Sequence, residues 1–204
     1  TQRDVLLVRV ETADGVVGWG EAFAYACATA TEAAIRDMYA PRLIGQACHD
    51  IAALSREMQR QLHIQGRYGI TIFAWSGIEM ALWDLLGKQD GRSLRDMLGG
   101  TQERVAVGVS VGLQASPEAL VEVVGEYLAQ GYRRIKIKIK PGRDTGDTLA
   151  VRQAFPEVML QVDANSSYRL ETDLELHFLY VLNLLLIEQP QAEDDLWDHS
   201  QLQK

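Results

Sequence analysis

Three residues with ionisable side chains follow one another at equal intervals of 25 residues: Lys138, Asp163 and Glu188. Each lies at or near the end of a short apolar run typical of a β-strand: RIKIKIK, VMLQVD and LLLIEQ. A strand, a helix and their turns take about 30 residues in an α/β barrel, because about 250 residues build eight such units. The spacing therefore predicts that the three side chains lie on successive parallel strands and face one cavity.

The second half of the chain alternates between strand and helix patterns, which is typical of a parallel sheet with helical crossovers. The predicted strands are 105–112, 134–139, 158–164 and 184–189. The predicted helices are 116–131, about 144–154, 170–181 and a last one that begins near Asp194. Ser116 and Pro117 are expected to open the first of these helices as N-cap and first helical residue.

The first hundred residues show a different order. A β-hairpin is predicted around Asp14-Gly15, followed by helices at 29–44, 50–64 and 73–88. Strands followed by helices indicate an α+β domain, with a boundary near 99–103. We therefore predict an α+β domain at 1–100 and, at 101–204, an α/β domain made of four strand–helix units.

Composition excludes some classes of partner. The net charge of −8 gives no basic surplus to neutralise phosphates, so no nucleic-acid partner is expected. No apolar run approaches the roughly 20 residues of a membrane span, so no membrane contact is expected either. Cys27 and Cys48 lie outside any CxxC pair, which favours reduced cysteines and a cytoplasmic location.

The run RIKIKIK places Lys136, Lys138 and Lys140 on one side of a strand and three isoleucines on the other. A solvated edge strand is one interpretation. The other is a barrel strand whose isoleucines pack on helices while its lysines point inward, where like charges and partial burial would lower a lysine's pKa towards that of a usable base.

The two acidic residues admit structural and catalytic interpretations. Asp163, or Asn165 two residues later, could cap the following helix. Glu188 ends an apolar strand, where it should be buried and needs a partner. A divalent cation would satisfy both acids, and ligation by oxygen alone favours Mg²⁺, or Mn²⁺, over zinc.

Other polar residues favour plainer roles. Glu79 and Asp84 lie on a predicted helix of the first domain and are expected at the surface or between domains. The histidines share no metal-ligand spacing and are expected to be structural or exposed; they are His49, His63, His177 and His199.

The stretches KIKIKPGRD, QVDANSSY and LLIEQP, in this order and spacing, resemble the enolase superfamily. Within its mandelate racemase and muconate-lactonizing group, they are most similar to the o-succinylbenzoate synthases and N-acylamino acid racemases. The first domain is similar to the superfamily's capping domain, lacking its first strand, and its residues 66–88 are closer to mandelate racemase-like and acid-sugar dehydratase-like members. The resemblance implies an α/β fold in which the capping domain precedes the first half of a TIM-type (β/α)7β barrel.

The resemblance also implies roles for individual residues. Lys138 would be a general acid/base, and Lys136 would assist it by depressing its pKa. Asp163 and Glu188 would be the first two Mg²⁺ ligands. Substrate-contacting positions are expected at Ser110 and Asn165, and the loop at 21–28 would close over a small carboxylate substrate. Removal of a proton α to a carboxylate by a lysine base with Mg²⁺ is a known pattern of this superfamily.

The same period extends past Lys204. A third acidic ligand is expected near position 213 and a second base after it, so the 204-residue chain is expected to be an inactive fragment of an enzyme that forms homo-oligomers when full length. A dehydratase or mandelate racemase-like activity stays open, as does Schiff-base chemistry on a lysine. An alternative of another class is a non-catalytic, truncated barrel.

Overall fold

The computed structural model describes residues 4–170 and 176–203. The chain divides into two compact units, Thr1–Glu103 and Arg104–Lys204. The division falls beside the boundary region predicted at 99–103. An α+β unit is followed by a unit with a parallel sheet, as the alternation in the second half of the sequence predicts.

The first unit consists of an antiparallel hairpin packed against helices. Its strands are β1 (Leu6–Glu11) and β2 (Val17–Ala22). Its helices are α1 (Ala28–Ala33), a π-helix (Ala34–Tyr39), α2 (Ala40–Leu43), α3 (Ile51–Gln61), a 3₁₀ turn (His63–Gln65), α4 (Ile70–Asp90) and α5 (Leu94–Met97). The helix predicted at 29–44 is present, but π-helical turns occupy its middle.

Glycines let the hairpin approach α4 closely. A Cβ atom on Gly20 would lie 2.1 Å from the carbonyl oxygen of Gly77, and one on Gly18 would lie 2.0 Å from that of Ala81. Backbone atoms cannot move aside as a side-chain end can, so both positions require glycine. Asp84 also ties these elements together, since its Oδ2 accepts a hydrogen bond from the backbone N–H of Trp19 at 2.8 Å. Asp84 is thus partly exposed, as a surface residue was expected to be, and also links the hairpin to α4.

We expect Gly20→Ala to lower the free energy of unfolding of the first unit by about 3 kcal/mol, because overpacking a rigid contact costs about 1–3 kcal/mol or more. Urea unfolding followed by circular dichroism measures this. The matched control is Gly146→Ala, where a Cβ meets nothing within 4 Å. Equal midpoints for Gly20→Ala and the unmodified protein would contradict the close packing of the hairpin on α4.

Helix α4 extends three residues before and two residues after the helix predicted at 73–88. Within residues 4–170 and 176–203, it is the single helix whose length and composition would let it cross a membrane. The expectation that no run approaches that length is therefore wrong. Half of the stretch is buried inside the protein, and it contains the buried Trp75, Ile78 and Leu85. Packing as the central helix of the unit accounts for its apolar character.

The second unit contains a four-stranded parallel sheet in the order β3-β4-β5-β6. Its strands are β3 (Val109–Val111), β4 (Arg134–Lys138), β5 (Met159–Asp163) and β6 (Ile187–Glu188). Its helices are α6 (Pro117–Ala129), α7 (Thr145–Ala154), α8 (Leu176–Leu179), a 3₁₀ turn (Tyr180–Leu182) and α9 (Leu196–Leu202). The N-cap at Ser116 is confirmed, since its Oγ accepts from the N–H of Ala119 at 3.3 Å.

The outer strands are shorter than predicted. β3 covers three of the eight residues predicted at 105–112, and β6 covers two of the six predicted at 184–189. Both lie at the two edges of the sheet, where apolar sequence has a strand neighbour on one side alone. Part of the helix predicted at 170–181 lies outside the described residues. The resulting sheet is the start of a barrel, as the sequence predicts, and its core consists mainly of isoleucine, leucine and valine, with Ala164 and Tyr168.

Candidate active site

The equally spaced residues lie side by side at the carboxyl ends of three strands. Lys138 is the last residue of β4, Asp163 of β5 and Glu188 of β6. In the register of the sheet, Lys138 pairs with Asp163, and Asp163 pairs with Glu188. A step of 25 residues has therefore carried each side chain to the same height on the next strand, which confirms the predicted row.

The row is joined by short ionic contacts. Lys138 Nζ lies 2.6 Å from Asp163 Oδ2 and donates a second hydrogen bond to Asn165 Oδ1 at 2.7 Å. Lys136, two residues earlier on the same face of β4, lies 3.1 Å from the same oxygen of Asp163 and 3.0 Å from each oxygen of Glu188. The lysines of β4 thus face the acids rather than solvent, and the interpretation as a solvated edge strand is wrong for these two.

Lys140 does not belong to this cluster. β4 ends at Lys138. Lys140 is exposed and lies in a turn, where its backbone forms hydrogen bonds with the backbone of Arg143. The strict alternation of RIKIKIK predicted three inward-facing lysines, but the strand twists into a turn after two of them. Pro141 and Gly142 come directly after Lys140, and proline interrupts a strand ladder because it lacks the N–H group.

Asp163 is held from two sides. Its side chain is 1% exposed, and its Oδ1 accepts a hydrogen bond from the backbone N–H of Asn165 at 3.0 Å. Asn165 and Ser166 both adopt a left-handed backbone, with φ of 45° and 61°. One carboxylate oxygen therefore stabilises the tight turn after β5 while the other faces the lysines. This contact lies within a turn and caps no helix, because residues 164–170 are not helical and the next described helix begins at Leu176. The capping interpretation is therefore wrong for Asp163.

Glu188 is more open than predicted. Its side chain is 36% exposed, because β6 is the last strand of the described sheet and is two residues long. The expectation that it is buried is therefore wrong, whereas the expected need for a partner is met by Lys136. A further partner was missed by sequence reasoning: Gln161 Nε2 donates to Glu188 Oε2 at 2.9 Å. The signal for it was its position two residues before Asp163, which places it on the same face of the strand.

The charges in the cluster shift one another's ionisation. Burial alone would raise the pKa of Asp163, but hydrogen bonds from Lys138, Lys136 and the Asn165 backbone lower it below its ordinary value. Burial alone would lower the pKa of Lys136, but Glu188 and Asp163 raise it above its ordinary value. Since the acids outweigh the effect of burial, Lys136 is held as a cation, and the expectation of a lowered lysine pKa is wrong for this residue.

These shifts predict a pH dependence of stability. The raised pKa of Lys136 gives a stabilising contribution that is fully present below about pH 10.4 and is lost as pH rises through the folded-state value. The lowered pKa of Asp163 gives one that is present above about pH 3.9 and is lost as pH falls through the folded-state value. Between those limits the cluster's contribution is expected to stay constant.

The variant Lys136→Met tests the predicted loss of stability at alkaline pH. We expect the difference in unfolding free energy between the unmodified protein and this variant to be constant from about pH 6 to 9 and to shrink above about pH 10.4. Urea unfolding across that range measures it, with the exposed Lys140→Met as the control for a lysine outside the cluster. A difference that stays constant to pH 11.5 would contradict the raised pKa of Lys136.

The two residues expected to contact substrate lie near the row. Ser110 of β3 is exposed and pairs with Lys136 in the sheet register, which places it on the neighbouring strand at the same height. Asn165 follows β5 and uses its side-chain oxygen to accept from Lys138. Contact of either residue with a substrate stays a prediction.

The donor atoms fit part of a magnesium site. Asp163 and Glu188 offer carboxylate oxygens on adjacent strands, and hard oxygen ligands are those that Mg²⁺ prefers. In this structure the carboxylates are paired with the ammonium groups of Lys136 and Lys138, whose positive charge opposes the binding of a cation. Within residues 4–170 and 176–203, no group of three or more His, Cys, Asp or Glu side chains could hold a metal ion. The assignment of Asp163 and Glu188 as metal ligands stays a prediction.

Family models match both units of the chain. Residues 1–99 match the N-terminal domain of mandelate racemase / muconate lactonizing enzyme, and residues 119–204 match the enolase C-terminal domain-like family. The chain belongs to the enolase superfamily. As a member of the mandelate racemase/muconate lactonizing group, it has the fold class that its sequence predicts, a capping domain followed by part of a TIM-type barrel.

Curated relatives of this enolase-superfamily chain are enzymes. It is 39% identical over 98% of its length to o-succinylbenzoate synthase of Geobacillus kaustophilus, 38% identical over its whole length to N-succinylamino acid racemase of Thermus thermophilus, and 31% identical over 95% to arabinonate dehydratase of Saccharolobus solfataricus. It covers 54%, 55% and 54% of these proteins. The chain thus spans about half the length of the curated relatives it matches.

Solved structures agree with this family. A mandelate racemase/muconate lactonizing protein from Paracoccus denitrificans, crystallised with magnesium, is 29% identical to this chain and superimposes with a TM-score of 0.85. The match covers 96% of this chain and 57% of that protein. Metal-dependent proton abstraction is the general chemistry of the superfamily.

Proposed function

We propose that the complete polypeptide containing this chain abstracts a proton α to a carboxylate through an ene-diolate intermediate, as an N-acylamino acid racemase or o-succinylbenzoate synthase. The observation that carries the proposal is the row of Lys138, Asp163 and Glu188 at the ends of adjacent strands. Similarity along the whole chain to a synthase and a racemase supports the substrate class. Mg²⁺, or Mn²⁺ in its place, is the proposed cofactor.

The contacts of the two lysines support different roles for them. An uncharged lysine amine has two N–H groups and one lone pair. Once deprotonated, Lys138 Nζ would still have acceptors for its two hydrogens, Asp163 Oδ2 and Asn165 Oδ1, and its lone pair could accept a proton from the substrate's α-carbon. The Nζ group of Lys136 faces three carboxylate oxygens, and its raised pKa keeps it charged. We therefore assign the general base to Lys138 and an electrostatic role to Lys136.

Asp163 and Glu188 would hold the metal ion. When bound, Mg²⁺ supplies positive charge that neutralises the substrate carboxylate and the negative charge that develops on it. The backbone N–H of Asn165 fixes one oxygen of Asp163, so the orientation of this carboxylate does not depend on the lysines alone. Holding a ligand in place before the ion arrives reduces the reorganisation that binding requires.

The test uses the complete polypeptide with Mg²⁺ and two candidate substrates. Racemisation of an N-succinyl-L-amino acid is followed by chiral chromatography, and formation of o-succinylbenzoate is followed by absorbance. We expect at least one activity, abolished by EDTA and restored by Mg²⁺. Acid-sugar dehydration is the second candidate, favoured by the 31% identity to arabinonate dehydratase. Turnover of arabinonate without either of the other reactions would replace the first proposal with the second.

The proposed enzyme also has a predicted substrate class, oligomeric state and location. Its partner is a small-molecule carboxylate, it works as a homo-oligomer in the cytoplasm, and it engages neither nucleic acid nor a membrane. The net charge of −8 supports the exclusion of nucleic acid, because phosphate contacts require a basic surface.

A further inference from the structure

Gln161 is a polar side chain in an otherwise apolar strand. It lies on β5 between Leu160 and Val162, both fully buried, and is itself 7% exposed. A buried amide needs hydrogen-bond partners, since leaving its polar atoms unpaired costs about 1–3 kcal/mol. Its amide nitrogen donates to Glu188 Oε2 at 2.9 Å, across to the neighbouring strand. The buried neighbours Leu160 and Val162 thus hold the strand in place, and the amide of Gln161 is directed at one proposed metal ligand.

Glu188 has little else to hold it in one orientation. It lies on a two-residue strand at the edge of the described sheet, and its side chain is 36% exposed. Lys136 Nζ is 3.0 Å from both carboxylate oxygens, so this ammonium group does not distinguish between them. Gln161 contacts Oε2 and thereby makes the two oxygens unequal.

An amide suits this task better than a charged group. It donates a hydrogen bond without adding a positive charge that would compete with a metal ion. It also does not titrate near neutral pH, so its contact is the same whether the neighbouring lysines are charged or neutral. A glutamate here would place a further negative charge beside Glu188.

We propose that Gln161 is a positioning residue that holds Oε2 of Glu188 and so presents Oε1 to the metal ion. This inference rests on the proposed function, because it requires Glu188 to be a ligand. Partners of this kind commonly change metal affinity by about 10–100-fold when they are removed. Gln161 would act on metal binding through Glu188, without touching the substrate.

The experiment measures the affinity of the complete polypeptide for Mn²⁺ by electron paramagnetic resonance. Gln161→Met keeps the side-chain length and removes the donor; we expect it to weaken Mn²⁺ binding about 10-fold or more. Glu188→Gln provides the second variant, and the double variant completes a cycle. If Gln161 acts through Glu188, adding Gln161→Met to Glu188→Gln should change the affinity by less than about two-fold.

A structural control separates positioning from stability. Val162→Ala alters the next residue of β5, whose side chain is buried in the core on the opposite face, and should lower the unfolding midpoint while leaving Mn²⁺ affinity unchanged. Saturating Mg²⁺ should restore most of the kcat of Gln161→Met, since the defect lies in metal affinity.

Two results would overturn the inference in distinguishable ways. If Glu188→Gln weakens Mn²⁺ binding while Gln161→Met binds as the unmodified protein does, or weakens binding equally in both backgrounds, the positioning role is wrong and the proposed function stands. If neither Glu188→Gln nor Asp163→Asn weakens Mn²⁺ binding, the proposed metal site is wrong and the inference fails with it.

Discussion

Replacing Lys138 with alanine in the complete polypeptide is expected to lower kcat for racemisation or cycloisomerisation by about 10³-fold or more. A positioned general base contributes about 10²–10⁴-fold, and Lys138 Nζ is the amine whose two acceptors leave a lone pair for the substrate. Steady-state kinetics at saturating Mg²⁺ measures the loss. Asp163 keeps Lys136 as an ionic partner in this variant, so the protein should remain folded.

Lys138→Arg separates proton transfer from charge. Arginine keeps a cation beside Asp163 but cannot be deprotonated in a protein, so this variant should be inactive to a similar degree. The matched control is Lys140→Ala, because Lys140 is exposed and outside the cluster, and its kcat should change by less than about two-fold. Activity of Lys138→Arg near that of the unmodified enzyme would show that Lys138 acts through its charge and is not the base.

Replacing Asp163 with asparagine is expected to have the second large effect. This carboxylate is 1% exposed, is oriented by the Asn165 backbone and lies beside two ammonium groups. Asparagine keeps the shape but removes the charge, so we expect Mn²⁺ affinity to fall by about 100-fold or more, beyond the range for residues that merely support a ligand. Electron paramagnetic resonance measures the affinity, and kcat should fall in parallel.

Asp147→Asn is the control for loss of a buried carboxylate in the same unit. Asp147 is 3% exposed and pairs with Arg143 at 2.8 Å, away from the row of site residues. Its replacement should lower stability while leaving Mn²⁺ affinity unchanged. Equal losses of Mn²⁺ affinity in Asp147→Asn and Asp163→Asn would mean that unfolding, rather than loss of a ligand, explains the result.

The sequence predicted the row because its signal is periodic. A strand–helix unit of constant length returns the chain to the same edge of a parallel sheet, so Lys138, Asp163 and Glu188 could be aligned from their numbering alone. The alternation in β4 likewise predicted that Lys136 faces the same way as Lys138. Such patterns depend on backbone geometry and need no knowledge of the neighbouring strands.

The features that were missed depend on neighbours. Like charges and partial burial were expected to lower the pKa of a lysine on this strand, whereas Glu188 and Asp163, on other strands, raise the pKa of Lys136. Glu188 was expected to be buried because its run is apolar, but its strand lies at a sheet edge. The sequence places Gln161 on the same strand face as Asp163 but does not show its partner on the neighbouring strand, Glu188.

The central claim is that Lys138 takes a proton from the α-carbon of a metal-neutralised carboxylate. The most direct measurement is wash-in of deuterium at the α-carbon of an N-succinyl amino acid, followed by proton nuclear magnetic resonance in D₂O with the complete polypeptide. The account predicts exchange that requires Mg²⁺ and falls by about 10³-fold in Lys138→Ala. Exchange that continues unchanged in EDTA, or product formation without loss of the α-hydrogen, would contradict it.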